Sequence, residues 1–306
     1  MRKAFAVLLL LVLLAPPAAA TTRPLTVGRS ASPNPGSVNV LWADAPRGLV
    51  VIDSGRTLSE ARKTVAAIRA TGRPVAAIVI THAHPDHVGG LGVLHAAFPQ
   101  APMYAGAATI EEIRTDSKGF YALTRQIDGA DYPAVMTVPD HVLRPGVPVV
   151  VGGLLLRTAE FGPGETDAAT AFYEPVSRTL FAGDLVANHM TPALLEGHTC
   201  GWLADLDRLA RRFPHARVLY PGHGAPGGPE LIGAQARYIR DVRALVAPVA
   251  APSSPGGTAV TPEELASVKA QLAAAYPDYP NVASLPTLVD VNITAVAKEI
   301  ATQPAC

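Results

Sequence analysis

The 306 residues are 49% hydrophobic and 16% charged, which supplies a large core and excludes a disordered chain. The 25 basic and 25 acidic residues cancel, so no bulk positive field draws in a polyphosphate backbone, and nucleic acid is excluded as the expected partner. Two cysteines, Cys200 and Cys306, are too few for a thiolate zinc cage or a disulfide framework. One bond between them in an oxidising compartment, and a free Cys306 at a frayed end, both stay open.

Residues 1–20 begin with Arg2 and Lys3, run apolar from Ala4 to Ala15 and end in Ala18, Ala19 and Ala20, the pattern of a cleaved signal peptide. The run is shorter than the roughly 20 residues of a spanning helix. A secreted or periplasmic protein with no stable membrane insertion after cleavage is expected. Two β-rich runs, Ser37 to Ala43 and Leu49 to Ile52, read as a hairpin across Pro46, Arg47 and Gly48, and the second delivers Asp53. Thr57 and Glu60 form a capping box that opens a helix through Ala70, stopped by Gly72. Pro74 to Ile80 is a continuous apolar strand, buried on both faces, ending at Thr81. A helix near Val88 to Phe98, a strand near Met103 and a helix from Thr109 to Ser117 follow, then a long irregular stretch rich in Gly, Asp and Pro.

Strands dominate from Val147: Leu154 to Thr158, Ala169 to Tyr173 and Thr179 to Phe181. Helices near Leu203 to Arg212 and Pro229 to Leu245 flank a strand at Arg217 to Tyr220. Two halves of mixed strands and helices imply a four-layer α/β sandwich, two mixed β-sheets flanked by helices, over residues 21–250. Residues 251–257 form a Pro, Ser and Gly break, and 251–306 read as a linker with a C-terminal helical extension, Pro262 to Ala275 and Leu288 to Ala301.

Three of the nine histidines fall within His82-Ala83-His84-Pro85-Asp86-His87, directly after a buried strand. Alternation projects His82 and His84 to one side while Asp86 and His87 turn toward a neighbouring position. This density of imidazole and carboxylate matches the ligand chemistry of zinc.

With Val51-Ile52-Asp53-Ser54-Gly55 upstream, Phe181-Ala182-Gly183-Asp184 and Pro221-Gly222-His223-Gly224 downstream, the segment resembles the signature of the metallo-β-lactamase fold superfamily across most of the mature chain. The resemblance implies a dinuclear site: His82 and His84 on a first metal, Asp86, His87 and His223 on a second, and Asp184 bridging. Asp53 would stand behind a ligand histidine and fix its tautomer. Most members carry a histidine in a Gly-His-Thr context where this chain has Gly164-Glu165-Thr166, and alkylsulfatase-like members use a glutamate there. Glu165 is therefore expected as a carboxylate ligand of the first metal, with an exposed turn as the other reading. Two divalent cations bring four positive charges; Asp86, Asp184 and Glu165 offset three and a bridging hydroxide the fourth, giving a weaker Lewis acid than a histidine site. Zinc is the expected metal, with manganese or iron able to compete beside the harder Glu165 oxygen.

The implied chemistry is hydrolysis by a metal-bridged hydroxide, with Asp86 and Asp184 catalytic, acting on a small-molecule ester, lactone, lactam or sulfate ester. The alternatives are a β-lactamase proper and a non-catalytic extracellular metal or ligand carrier. Flavin-partnered relatives carry a glutamate where His84 stands, which separates this chain from them. Cys200 lacks the basic context of an activated thiol. His189 and His198 are candidates to line the cleft, with surface loops as the equal alternative. Phe120, Tyr121 and Tyr132 read as a substrate-facing lid or, with more weight, as ordinary packing.

Overall fold

The structure, a computed structural model, describes residues 24–32, 34, 36–250 and 260–306. The signal segment 1–20 and the break at 251–257 lie outside the described residues. Six strands pair in chain order to make the first sheet: β1 (Val27–Ala31), β2 (Asn39–Ala45), β3 (Gly48–Ile52), β4 (Val75–Val79), β5 (Met103–Gly106) and β6 (His141–Leu143). The first two junctions are antiparallel and the rest parallel. The second sheet runs β11 (Val218–His223), β10 (Thr179–Ala187), β9 (Ala169–Glu174), β8 (Leu154–Phe161) and β7 (Val149–Val151), with only β10 and β11 parallel.

Alternation along these strands divides their side chains between separate cores. Leu41, Ala43, Val50, Ile52, Ala77 and Val79 of the first sheet meet Leu154, Leu156, Phe172 and Phe181 of the second in a layer between the sheets. Their neighbours Val40, Trp42, Val51, Ile78 and Ile80 turn the other way, under α1 (Leu58–Ala70), α3 (Leu91–Ala97) and α4 (Ala107–Thr115). On the far side Ala171, Tyr173, Leu180 and Ala182 pack against α6 (Thr199–Arg212) and α7 (Glu230–Val246). The expected layered sandwich of two mixed sheets is the observed one.

Locally the chain departs from expectation where short or exposed elements are involved. The capping box at Thr57 and Glu60 forms as read. The single helix expected from Val88 to Phe98 is instead α2 (Pro85–Val88) and α3, separated by Gly89 and Gly90. A Cβ on Gly90 would lie 2.1 Å from the Ser54 carbonyl oxygen, so the backbone passes too close to β3's exit for any other residue. The stretch expected to be irregular contains α5 (Phe120–Asp128), whose first turn is capped by Asp116 accepting from the Tyr121 and Ala122 amides. β1 was not anticipated either; it is an edge strand whose Gly28 and Ser30 give no β signal.

The C-terminal helices α8 (Pro262–Ala275) and α9 (Leu288–Thr302) contribute Val268, Leu272, Ile293, Val296, Ala297 and Ile300 to the core shared with α7. Glu299 of α9 caps α6, accepting from the Thr199 and Cys200 amides and the Thr199 hydroxyl. Beside that cap Cys200 and Cys306 form a disulfide, which settles the pairing and holds the final residue. The bond closes a loop of 106 residues, so it restrains the unfolded chain strongly. Cys200→Ser is expected to cost about 2–4 kcal/mol. Urea midpoints of oxidised parent, reduced parent and variant check this, with the last two coinciding.

Candidate metal centre

Elements from both sheets converge where their strands end. β3 delivers Asp53, β4 runs into Thr81 and the His82 to His87 segment, β10 carries Asp184 and β11 ends on His223. Glu165 comes from the loop between β8 and β9. All seven expected ligands, His82, His84, Asp86, His87, Glu165, Asp184 and His223, are buried. They form two groups, His82, His84, Glu165 and Asp184 in one and Asp86, His87 and His223 in the other, with donor atoms in each within 4.8 Å of one another. Asp184, a member of the first group, also reaches the second: its Oδ1 is 3.1 Å from His87 Nε2 and its Oδ2 3.2 Å from His223 Nε2. Gly222 makes room for that carboxylate, since a Cβ there would lie 1.8 Å from Asp184 Oδ1.

Each imidazole is gripped at the nitrogen that faces away from the gap. His87 Nδ1 donates to Asp53 Oδ2 at 2.8 Å, and His223 Nδ1 donates to the Gly36 carbonyl at 2.7 Å. Thr81 donates its hydroxyl to Asp53, which leaves that oxygen free to accept from His82 Nδ1 at 2.9 Å. His84 is reversed: Nε2 donates to Glu196 Oε1 at 3.0 Å and Nδ1 faces Glu165 Oε1 at 2.9 Å. Asp53, held with φ of 62°, thus orients two of the four rings, one directly and one through Thr81.

Most of the inward atoms make no hydrogen bond. Seven of the twelve buried side-chain atoms without a hydrogen-bond partner among the described residues lie here: His82 Nε2, Asp86 Oδ2, His87 Nε2, both Glu165 oxygens, Asp184 Oδ1 and His223 Nε2. A buried unpartnered carboxylate or imidazole is costly, and so many aimed at one gap fit divalent cations. Charge balance says the same. Burial opposes protonation of His87 and His223, yet Asp184 together with Asp53 at His87, and Asp184 together with Asp86 at His223, outweigh it, raising His87 well above the usual range and His223 to about 10. Burial likewise opposes ionisation of Asp184, but His223 and His87 hold it well below the usual carboxylate range. Burial pushes Glu165 up despite His84. Without a metal the carboxylates recruit protons onto imidazoles, a substitute for the positive charge that cations supply.

The surroundings divide the remaining candidates. Phe120 lines the pocket that opens onto the centre, its ring 5.8 Å from that of His84. Tyr121 and Tyr132 instead pack in the core, their hydroxyls donating to the Ala83 and Pro85 carbonyls. His189 is exposed against Tyr279, and His198 faces Asp167 at 3.9 Å; neither is part of that pocket's lining. Residues absent from the sequence reading are Glu196 behind His84 and Lys118, which pairs with both Glu196 and Asp167. Glu196 lies between the two histidines singled out in its segment, but a lone glutamate in a loop carries no spacing signal.

Residues 33–223 match the model of the metallo-beta-lactamase superfamily. The chain belongs to that superfamily. It is similar to a linear primary-alkylsulfatase of Pseudomonas sp., at 24% identity over 66% of this chain and 44% of that protein. It is also similar to the type 2 metallo-beta-lactamase of Bacteroides fragilis, at 27% over 52% of this chain and 57% of that protein. The chain thus spans about half the length of these curated relatives. Among solved structures, a metallo-beta-lactamase family protein from Thermus thermophilus shares the fold with a TM-score of 0.65 and 21% identity, over 92% of this chain and 93% of that one. The buried His, Asp and Glu groups fit the two-metal site typical of the superfamily.

Asp53→Asn removes the charge behind His87 and the anchor of Thr81 while keeping the volume. Metal affinity is expected to fall about 10–100-fold, read by competition with a chromophoric chelator. Unchanged affinity would deny Asp53 its orienting role.

Proposed function

We propose that this superfamily hydrolase is an exported dinuclear enzyme acting on an ester, lactone, lactam or sulfate ester. The observation that carries the reading is the ring of seven buried, unpartnered donor atoms around one gap. His82, His84 and Glu165 would hold the first cation and Asp86, His87 and His223 the second, with Asp184 within reach of both groups. Two divalent cations, zinc foremost, supply Lewis acidity toward a substrate oxygen and lower the pKa of water toward neutrality.

The chain's own groups do the rest. Asp53, Thr81, Gly36 and Glu196 fix ring orientations before substrate arrives, so little reorganisation accompanies reaction. Burial opposes the charge on Asp86, but His223 and His87 keep it ionised, with Oδ2 facing the gap, a carboxylate positioned to hold a proton in transit. Both cysteines are in the disulfide, so neither serves as nucleophile. Export is supported by the pattern at 1–20 and by the disulfide, which suits an oxidising compartment.

Asp86, Asp184 and Glu165 offset three of four metal charges, so Glu165 lowers the pull on anionic substrates relative to a histidine. Glu165→His is expected to shift the pH–rate profile toward acid and to lower any manganese or iron share in favour of zinc, read by elemental analysis beside the parent. The activity itself is tested with metal-loaded protein on nitrocefin, aryl esters, lactones and aryl sulfates. Turnover of one ester-type class is the expected result. Nitrocefin turnover alone would make it a β-lactamase, and metal-loaded protein inert on every class would leave a carrier.

A further inference from the structure

Helix α5 turns Leu123 and Ile127 away from the core while Tyr121 and Thr124 stay buried. Phe120, Leu123, Thr124 and Ile127 fall at i, i+3, i+4 and i+7 and line one side of the pocket above His84, Asp86 and Asp184. Leu123 and Ile127 are 54% and 56% exposed, unusual for aliphatic side chains beside one another on a helix. The opposite side comes from two other places: Ala193 and Leu195 after β10, and Val282, Ala283 and Leu285 from the turn between α8 and α9. That turn is anchored, with the Ala283 amide donating to the Gly36 carbonyl and Arg56 donating to the Ala283 carbonyl. Three separate segments therefore build one apolar groove whose floor is the metal centre.

Charge in the groove is already spent. Arg56 is the cationic lining residue outside the metal cluster, and Asp128 takes its Nε at 2.6 Å and its Nη2 at 3.1 Å. No free cation is left among the lining residues to hold a carboxylate at the far end of a substrate.

We propose that this groove seats an uncharged hydrocarbon substituent of the substrate, directly beside the bond that is cleaved, so that chain length on that substituent sets specificity. The proposal rests on the hydrolase reading above and names its substrate class. The continuity of groove and centre argues for substrate as the occupant, since anything lying in the groove reaches His84, Asp86 and Asp184.

Binding of n-alkyl hydroxamic acids, from acetyl to octanoyl, to zinc-loaded full-length protein tests this by calorimetry without turnover. Affinity is expected to rise about fourfold per methylene, the gain from moving one CH2 out of water, until the groove is filled. In Leu123→Asn/Ile127→Asn, where both sites are more than half exposed and the fold is not at stake, the slope should fall. A terminal carboxylate on the longest chain should cancel its gain. A flat series in the parent overturns the proposal, as does a dimer that dissociates in the double variant, which would make the stripe an interface between copies. Chain-length-dependent binding with no turnover on the substrate panel would instead sink the hydrolase reading and keep the groove; failure to take up zinc would sink both.

Discussion

Everything at the seam between the two sheets depends on burying three carboxylates and four imidazoles together, with seven of their inner atoms left without a hydrogen bond. No arrangement of protein groups alone satisfies that gap. Asp184 lies 3.1 and 3.2 Å from two ring nitrogens, yet its Oδ1 makes no hydrogen bond, and burial pushes Glu165 toward its neutral form. The metal-free electrostatics are a compromise in which His87 and His223 hold protons that burial would strip. Cations resolve the compromise by supplying positive charge where the carboxylates already point. The remainder of the fold serves to keep those inner atoms from finding other partners.

That service explains features that would otherwise look wasteful. Asp53 adopts a left-handed backbone conformation, and Gly222 gives up a side chain so that the Asp184 carboxylate fits. Each outward nitrogen is satisfied, by a carboxylate, a hydroxyl or a carbonyl, which leaves the inward nitrogen as the acceptor a metal needs. His84 shows the logic in reverse. Its Nε2 is tied to Glu196, which Lys118 holds in turn, so Nδ1 is the atom directed at Glu165.

How much of this was legible in the sequence follows from how local each signal is. Strand β4 was readable because its apolar run is unbroken, although only Ala77, Ile78 and Val79 are fully buried, and the histidine segment because four candidate ligands share six residues. Glu165 was reachable only through resemblance, as a departure in an otherwise matched motif. Helix α5 was not readable: its nine residues lie between Gly119 and Gly129, both with positive φ, and its apolar stripe faces a groove where a burial pattern expects a core. Glu196 and the Cys200–Cys306 bond depend on chain segments meeting across about a hundred residues, which no window of sequence records.

The C-terminal extension gains its meaning from the same distances. Its helices share the core of α7, and its Glu299 and Cys306 both attach to the first turn of α6, one as a cap and one by the disulfide. The turn at Val282 to Leu285 is therefore not a loop free to drift over the site. It is held to Gly36, whose carbonyl takes the Ala283 amide and also receives the His223 imidazole. One backbone group thus joins a wall of the groove to a ring of the metal centre. That shared acceptor ties the position of the Val282 to Leu285 turn to the orientation of His223 through a single peptide group.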